Sequence, residues 1–216
     1  PSLPRGIPIE GKEVDEERLV AIVNALLNTG VSRLVVSLSS IESELKVKDA
    51  LLESYPRHLL GAVPFLVSHE LSADREDGRR TFTAVINSFL HPGMEHFLYG
   101  AENVCKHNYM KRPLLIFRND GDSARVAKTT AIKTWGSGPR GGLDGSIQYA
   151  QYYASSNLVS MDIGGTTTDI SIVHEGKESL TRNGKIGGIE TSFDLPSLQS
   201  FGLGGSSVIR VNEGSI

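Results

Sequence analysis

Residues Ser160–Ile172 read SMDIGGTTTDISI. An apolar lead-in, Leu158 and Val159, runs into an acid, two glycines, three threonines and a second acid, and Ile170, Ile172 and Val173 form an apolar tail. This is the layout of a phosphate-binding β-hairpin. Asp162 falls at the end of a buried strand, where a carboxylate can face a cleft and hold Mg²⁺, usually through water. Gly164 and Gly165 carry no side chain, so backbone N–H groups can approach phosphate oxygens closely. Thr166, Thr167 and Thr168 add hydroxyl donors and suit a strand. Asp169 is placed to orient water or metal, or to cap the turn. An ordinary Gly-Gly hairpin turn also uses Asp and Thr; two acids flanking GGTTT after a buried strand favour the phosphate reading.

Outward from that hairpin, the chain alternates helical and strand patterns, which argues an α/β fold. Asp15 is a helix N-cap, Leu19, Ile22, Val23, Leu26 and Leu27 keep helical spacing, and Gly30 is the stop. Residues 33–38 (RLVVSL) form a strand. Ser43 begins a second helix that ends near Pro56, and residues 64–68 form a short strand. Residues 81–108 are helical, with a kink or break at Pro92-Gly93. Strands are expected at 114–117 and 131–135, a helix at 141–154, and strands at 158–163 and 167–173 with a turn at Glu175-Gly176. Further short strands are expected toward the C-terminus.

Many of the 23 glycines fall after residue 135, in GSGPRGG, DIGGTTTD, GKIGG and GLGG. The organisation expected is therefore a helix-rich α/β segment, residues 1–112, followed by a Gly/Thr-rich nucleotide-binding lobe, residues 113–216. Ser137, Gly138 and Pro139 precede a helix whose N-terminus can meet an anion, or make a structural strand-to-helix turn. Asn119, Asp120 and Gly121 follow a strand end, where α/β sites lie, although the same triplet suits a plain turn. Gly202, Gly204, Gly205 and Ser206 form a second Gly-rich turn. His91, Glu95 and His96 have the spacing H-x-x-x-E-H, which is not a metal-helix motif.

A net charge of −3 gives no electrostatic case for nucleic acid or an anionic membrane. The single Cys105 cannot close an internal disulfide, and no apolar run reaches the roughly 20 residues of a membrane span. The expectation is a cytoplasmic protein.

DIGGTTTD resembles the second phosphate motif of the actin-like ATPase (ribonuclease H-like) superfamily. More narrowly, the chain resembles the A-type subunit of the hydantoinase/5-oxoprolinase family. Residues 79–92 (RRTFTAVINSFLHP), 117–121 (FRNDG), 137–145 (SGPRGGLDG) and the run ending SFGLGGSSVIRV are similar to family segments in the same order. The chain departs from the pattern at Arg140, where the family has a small residue, and at Ser206, where it has a third glycine. Arg140 adds either a phosphate contact or a surface charge.

The resemblance implies a mixed-sheet actin-like lobe, preceded by a partial α/β segment, that uses ATP and Mg²⁺. Asp162 would hold the metal. Gly164, Gly165 and Thr166–Thr168, together with Ser137, Gly138, Gly202, Gly204, Gly205 and Ser206, would line the nucleotide, with Asp169 beside them. Asn119–Gly121 becomes a candidate substrate loop. The implied activity is ATP-dependent opening of a cyclic amide such as hydantoin or 5-oxoproline, by attack of water on an activated carbonyl. Related subunits support ketone carboxylation instead, and a non-catalytic nucleotide-binding or regulatory module is a third reading. Only one of the two phosphate hairpins of such ATPases is present. The chain opens PRGIPIEGKEVDEERL and ends RVNEGSI, so it reads as an internal piece or truncated relative of a longer subunit. Its partners would be the missing lobe and a B-type subunit, and these residues alone are expected to be weak or inactive catalysts.

Overall fold

The computed structural model describes residues 15–56, 64–208 and 210. The opening run up to Val14 and the strands expected at the extreme C-terminus lie outside the described residues. The fold is α/β, with both parallel and antiparallel pairing. The chain divides into two units, Pro1–Phe97 with Lys185–Ser192, and Leu98–Gly184 with Phe193–Ile216.

The first unit is built on a parallel β-α-β element. Helix α1 (Glu16–Asn28) starts where the Asp15 carboxylate accepts from the N–H groups of Glu17 and Arg18, and Gly30 follows its end at φ +84°. Strand β1 (Leu34–Val36) leads to α2 (Ile41–Ser54), which returns to β2 (Phe65–Val67), paired in parallel with Leu34 opposite Phe65. Leu19, Val23, Leu34, Val47, Ala50 and Leu51 form its core. Helix α2 begins before the expected Ser43, because Ser40 caps it by accepting from Ser43 N. Residues 68–71 are a short helix, α3 (Ser68–Leu71), rather than a strand end.

At the carboxyl ends of β1 and β2 lies a buried polar network that the sequence reading missed. The Glu44 carboxylate is fully buried and accepts from Leu38 N (2.8 Å), Ser68 Oγ (2.6 Å) and His69 N (3.0 Å). Arg80 is 1% exposed and donates to Ser68 Oγ, Leu38 O, Asp74 O and Asp77 Oδ1. Arg80 sits on α4 (Asp77–His107), which begins four residues before the expected Thr81. The helix also runs unbroken across Pro92. Proline there gives no N–H to the Ser88 carbonyl, a loss the surrounding turns absorb. Hairpin β9 (Lys185–Ile186) with β10 (Ile189–Glu190) completes the unit, and the N–H of Ser192 donates to Thr83 Oγ1 at 2.9 Å.

The second unit carries hairpin β3 (Leu115–Phe117) with β4 (Ser123–Arg125), then the strands β5 (Asn157–Ile163) and β6 (Thr168–His174). Strand β7 (Lys177–Glu178) returns through a tight turn in which Glu175 and Gly176 both have positive φ (51° and 70°). Strand β8 (Leu180–Thr181) pairs with β11 (Leu195–Pro196), and β12 (Leu198–Phe201) pairs with the outer side of β6.

Helix α5 (Ser137–Tyr152) lays Leu143, Ile147 and Ala150 on Leu158 and Val173. It starts four residues before the expected Gly141, because left-handed Gly136 (φ +69°) turns the chain and Pro139 is tolerated in a first turn that needs no N–H. Residues 131–134 form a 3₁₀ helix, not the expected strand. The Asn119 amide donates to the carbonyls of Ile132 and Trp135, holding them in a turn.

Burial pushes the Glu44 carboxyl up, but the hydrogen bonds from Ser68, His69 and Leu38 outweigh it and hold the group below its usual range. Stability carried by a depressed carboxyl is present above its unfolded value and lost as pH falls through the folded one. Glu44→Gln is expected to lower stability at neutral pH by roughly 1–3 kcal/mol. The deficit should shrink below the ordinary value of 4.5. Urea unfolding of both proteins from pH 7 to pH 3 checks the magnitude and the sign.

Candidate phosphate site

All the residues of the candidate site belong to the second unit. Its centre is the four-residue turn Gly164–Thr167 that joins β5 to β6. Ile163 pairs with Thr168 at the mouth of the turn, and the Gly164 N–H donates to Thr167 O at 2.9 Å. The N–H groups of Gly165, Thr166 and Thr167 donate to nothing among the described residues. Gly164, Gly165 and Thr166 are exposed. This tip therefore presents free donors to solvent, the requirement of an anion cradle.

The second Gly-rich turn sits directly on this tip. Pairing of β12 with β6 puts Phe201 opposite Thr168, so the chain leaves the strand at the hairpin mouth. Gly205 N then donates to Gly164 O (2.8 Å), Ser206 N to Gly165 O (3.0 Å) and Thr168 Oγ1 to Leu203 O (2.5 Å). The turn is closed by Ser207 N on Gly204 O (2.9 Å) and by Gly204 N on Ser207 Oγ (3.0 Å). A Cβ on Gly204 would stand 2.7 Å from Gly164 O, Gly165 C and Thr166 N, so only glycine allows the approach.

Asp162 and Asp169 are direct cross-strand partners and share a face of the sheet. That face is turned to α5. Asp162 Oδ2 would lie 3.2 Å from a Cβ at Gly142, and Ser146 shares a hydrogen bond with Ser160 Oγ (2.7 Å). A Cβ at Gly141 would make ordinary contact with the Phe117 ring at 3.7 Å, so within the GG pair of SGPRGG it is Gly142 that gives the tighter approach. Asp162 is exposed, whereas Oδ1 of Asp169 is buried with no hydrogen-bond partner. Mg²⁺ takes one or two carboxylates and fills its remaining positions with phosphate oxygens and water. An orphaned carboxylate oxygen beside an open carboxylate and a row of free N–H groups fits Mg²⁺ with a polyphosphate. Ser137 and Gly138 occupy the first turn of α5, two turns or less from the glycine that meets Asp162.

The Asn119–Gly121 triplet forms the β3–β4 loop, and its polar groups are taken up within the unit. Asn119 is 3% exposed and staples residues 132 and 135. Asp120 binds Lys133 (2.9 Å) and Arg118 (3.0 Å). Burial pushes the Asp120 carboxyl up, and the Lys133 bond with the Asp122 N–H and the two cations bring it below its usual range. Arg140 is not a surface charge. It is buried, binds Asp144 (2.9 Å) and Glu178 (2.7 Å), and its guanidinium would lie 2.8 Å from a Cβ at Gly121, itself at φ +83°. Arg140 thus ties the loop to α5 and β7, around a cleft of about 180 Å³ that also includes Lys133 and Phe193. The sequence signal for this clamp was the departure from a small residue; its partner Glu178 lies too far along the chain to be read.

The Hydantoinase/oxoprolinase family matches residues 80–216, more than half of the chain. The acetophenone carboxylase gamma subunit of Aromatoleum aromaticum is 28% identical over 206 residues, which cover 93% of this chain and 28% of that subunit. The nucleotide-free structure of acetone carboxylase superposes with a TM-score of 0.79 at 22% identity, over 92% of this chain and 28% of that one. The ATP-dependent caprolactamase of Pseudomonas jessenii superposes with a TM-score of 0.72 at 21% identity, over 97% of this chain and 31% of that one. The chain spans less than a third of the length of these relatives. On the match over residues 80–216, the chain belongs to the hydantoinase/oxoprolinase family.

Proposed function

We propose that this chain supplies one phosphate-gripping half of the ATP site of a subunit that activates a carbonyl oxygen of a small substrate. The carrying observation is the pair of interlocked Gly-rich turns, with free N–H groups at Gly165–Thr167 beside Asp162 and the unpartnered Asp169 oxygen. In this reading Asp162 holds Mg²⁺ and Asp169 orients the metal or its water. The free N–H groups of Gly165, Thr166 and Thr167 and the hydroxyls of Thr166 and Thr167 grip phosphate oxygens, while the Gly164 N–H and the Thr168 hydroxyl are already given to Thr167 O and Leu203 O. Gly202–Ser206 and the first turn of α5, Ser137 and Gly138, border the nucleotide. Bound Mg-ATP supplies the phosphoryl group that turns a carbonyl oxygen into a leaving group. The fixed donors of the hairpin stabilise charge spread over the transferring oxygens, where most of the rate in such transfers arises.

The relatives bear on the substrate class. Caprolactam is a cyclic amide and acetone a ketone, and the solved relatives named for them are both described as ATP-dependent. We retain ring opening of a cyclic amide of the hydantoin or 5-oxoproline type as the first reading. Ketone activation for carboxylation is the second, favoured by the carboxylase subunit that is similar over 93% of the chain. A B-type subunit is the partner proposed for either.

Calorimetric titration of Mg-ATP and Mg-ADP into the chain, beside Asp162→Ala, tests the reading. The substitution is expected to weaken binding about tenfold or more, as loss of one charge-assisted metal contact does. Equal affinity in both proteins would remove the site from this hairpin. Gly204→Ala is expected to cost roughly 1–3 kcal/mol in thermal unfolding, as overpacking against rigid backbone does. Gly202→Ala meets nothing within 4 Å and should leave stability unchanged.

A further inference from the structure

Arg140 joins three elements of the second unit with one side chain. That side chain is 9% exposed, and a guanidinium buried so far needs its charge answered. Asp144, one turn along α5, accepts from Nε at 2.9 Å, and Glu178 of β7 accepts from Nη2 at 2.7 Å. The third contact is steric. Gly121 of the β3–β4 loop lies so close that a Cβ there would stand 2.8 Å from Nη2. A planar fork carries donors on separate nitrogens and serves two acids in fixed directions, which the single ammonium of lysine does not.

The helix that Arg140 pins is also the helix that covers Asp162. Two residues further along α5, a Cβ at Gly142 would lie 3.2 Å from Asp162 Oδ2. The helix backbone thus confines one oxygen of a carboxylate that is otherwise exposed. How near α5 stands decides how far that carboxylate can turn. The body of the helix is held by Leu143, Ile147 and Ala150 against Leu158 and Val173, and by Ser146 Oγ on Ser160 Oγ at 2.7 Å. Its opening turns have less support. Among the described residues, the bond from Arg140 to Glu178 is the one side-chain hydrogen bond from residues 137–142 that leaves the helix.

On the reading that Asp162 holds Mg²⁺, we infer that Arg140 is a positioning residue of that site. Through Glu178 and the Asn119–Gly121 loop it sets the distance of the opening turns of α5 from Asp162. It thereby sets the orientation in which Asp162 meets the cation. The role is geometric, because Asp144 and Glu178 take up the charge and no contact with nucleotide is required. Ligands held in orientation by their surroundings bind metal more tightly, and loss of that support lowers the affinity.

Titration of ADP in Mg²⁺ and in EDTA tests this on the unmodified chain, Arg140→Met, Glu178→Gln and Asp162→Ala. Arg140→Met is expected to weaken Mg-ADP binding on the order of tenfold. ADP in EDTA needs no oriented carboxylate and should bind both proteins alike. Glu178→Gln keeps the arginine and its link to Asp144, and should show a smaller loss of the same kind, about two- to fivefold. It carries the test alone if Arg140→Met does not fold. Without nucleotide, amide exchange in the clamp variants should quicken at residues 138–142 and stay unchanged in β5 and β6. Full Mg-ADP affinity in the clamp variants, with Asp162→Ala weaker, overturns the inference and leaves the phosphate site standing. A loss equally large in EDTA, or faster exchange throughout β5 and β6, makes Arg140 a purely structural residue and overturns it too. An unmodified chain that binds Mg-ADP no better than Asp162→Ala defeats the phosphate-site reading itself, and the role of Arg140 falls with it.

Discussion

The turn at Gly202–Ser207 rests on the β5–β6 hairpin through two backbone bonds and one from the Thr168 hydroxyl, and the absence of a side chain at Gly204 makes that contact possible. Three backbone atoms of the hairpin would lie 2.7 Å from a Cβ there. With that approach permitted, Gly205 and Ser206 donate to the carbonyls of Gly164 and Gly165. Those carbonyls turn back toward the protein, and the N–H groups that follow them are left pointing outward. The open donors of the cradle are thus a by-product of how its carbonyls are satisfied. A milder case is Gly142 on α5, where a Cβ would lie 3.2 Å from the Asp162 carboxylate.

The acids experience opposing demands. Burial in low dielectric disfavours an isolated carboxylate, so a buried oxygen without a donor is a standing cost. Asp169 bears that cost, with a second acid directly across the ladder. In the first unit the buried Glu44 is treated in the opposite way, ringed by donors from Leu38, Ser68 and His69. The contrast is between a buried acid whose oxygens are filled by donors and one with an oxygen left open, and that open oxygen is what favours the proposed role of Asp169 beside a cation.

What the sequence showed depended on the reach of each interaction. The Asp15 cap, the Gly30 stop and the Glu175-Gly176 turn are settled within four residues, and all were legible. The hairpin was legible because acid, glycines and threonines sit in one continuous run. Residues 131–135 misled because Ile132, Thr134 and Trp135 suit a strand by type, while the deciding bonds come from Asn119 on another hairpin. The start of α5 misled because Gly-Pro reads as loop, although a first turn accepts proline. Arg140 and Arg80 were opaque. Each is an ordinary surface residue by type, and each is buried by partners up to about forty residues away in the chain.

The hairpin Lys185–Glu190 belongs to the first unit although most of the second unit precedes it in the chain. Thr191 is fully buried there, Ser192 N bonds to Thr83, and Glu190 lies 3.6 Å from Arg79. Synthesis on the ribosome runs from the N-terminus at about 5–20 residues per second. The first unit therefore emerges on the order of ten seconds before the piece that closes it. During that interval its Thr83–Arg79 seam is open, and a nascent chain stalled before Lys185 would hold an unfinished first unit although β5 and β6 are already made. Neither unit is a contiguous stretch of sequence, so vectorial synthesis cannot finish them in order, and the last-made segment becomes the step that locks the first-made one.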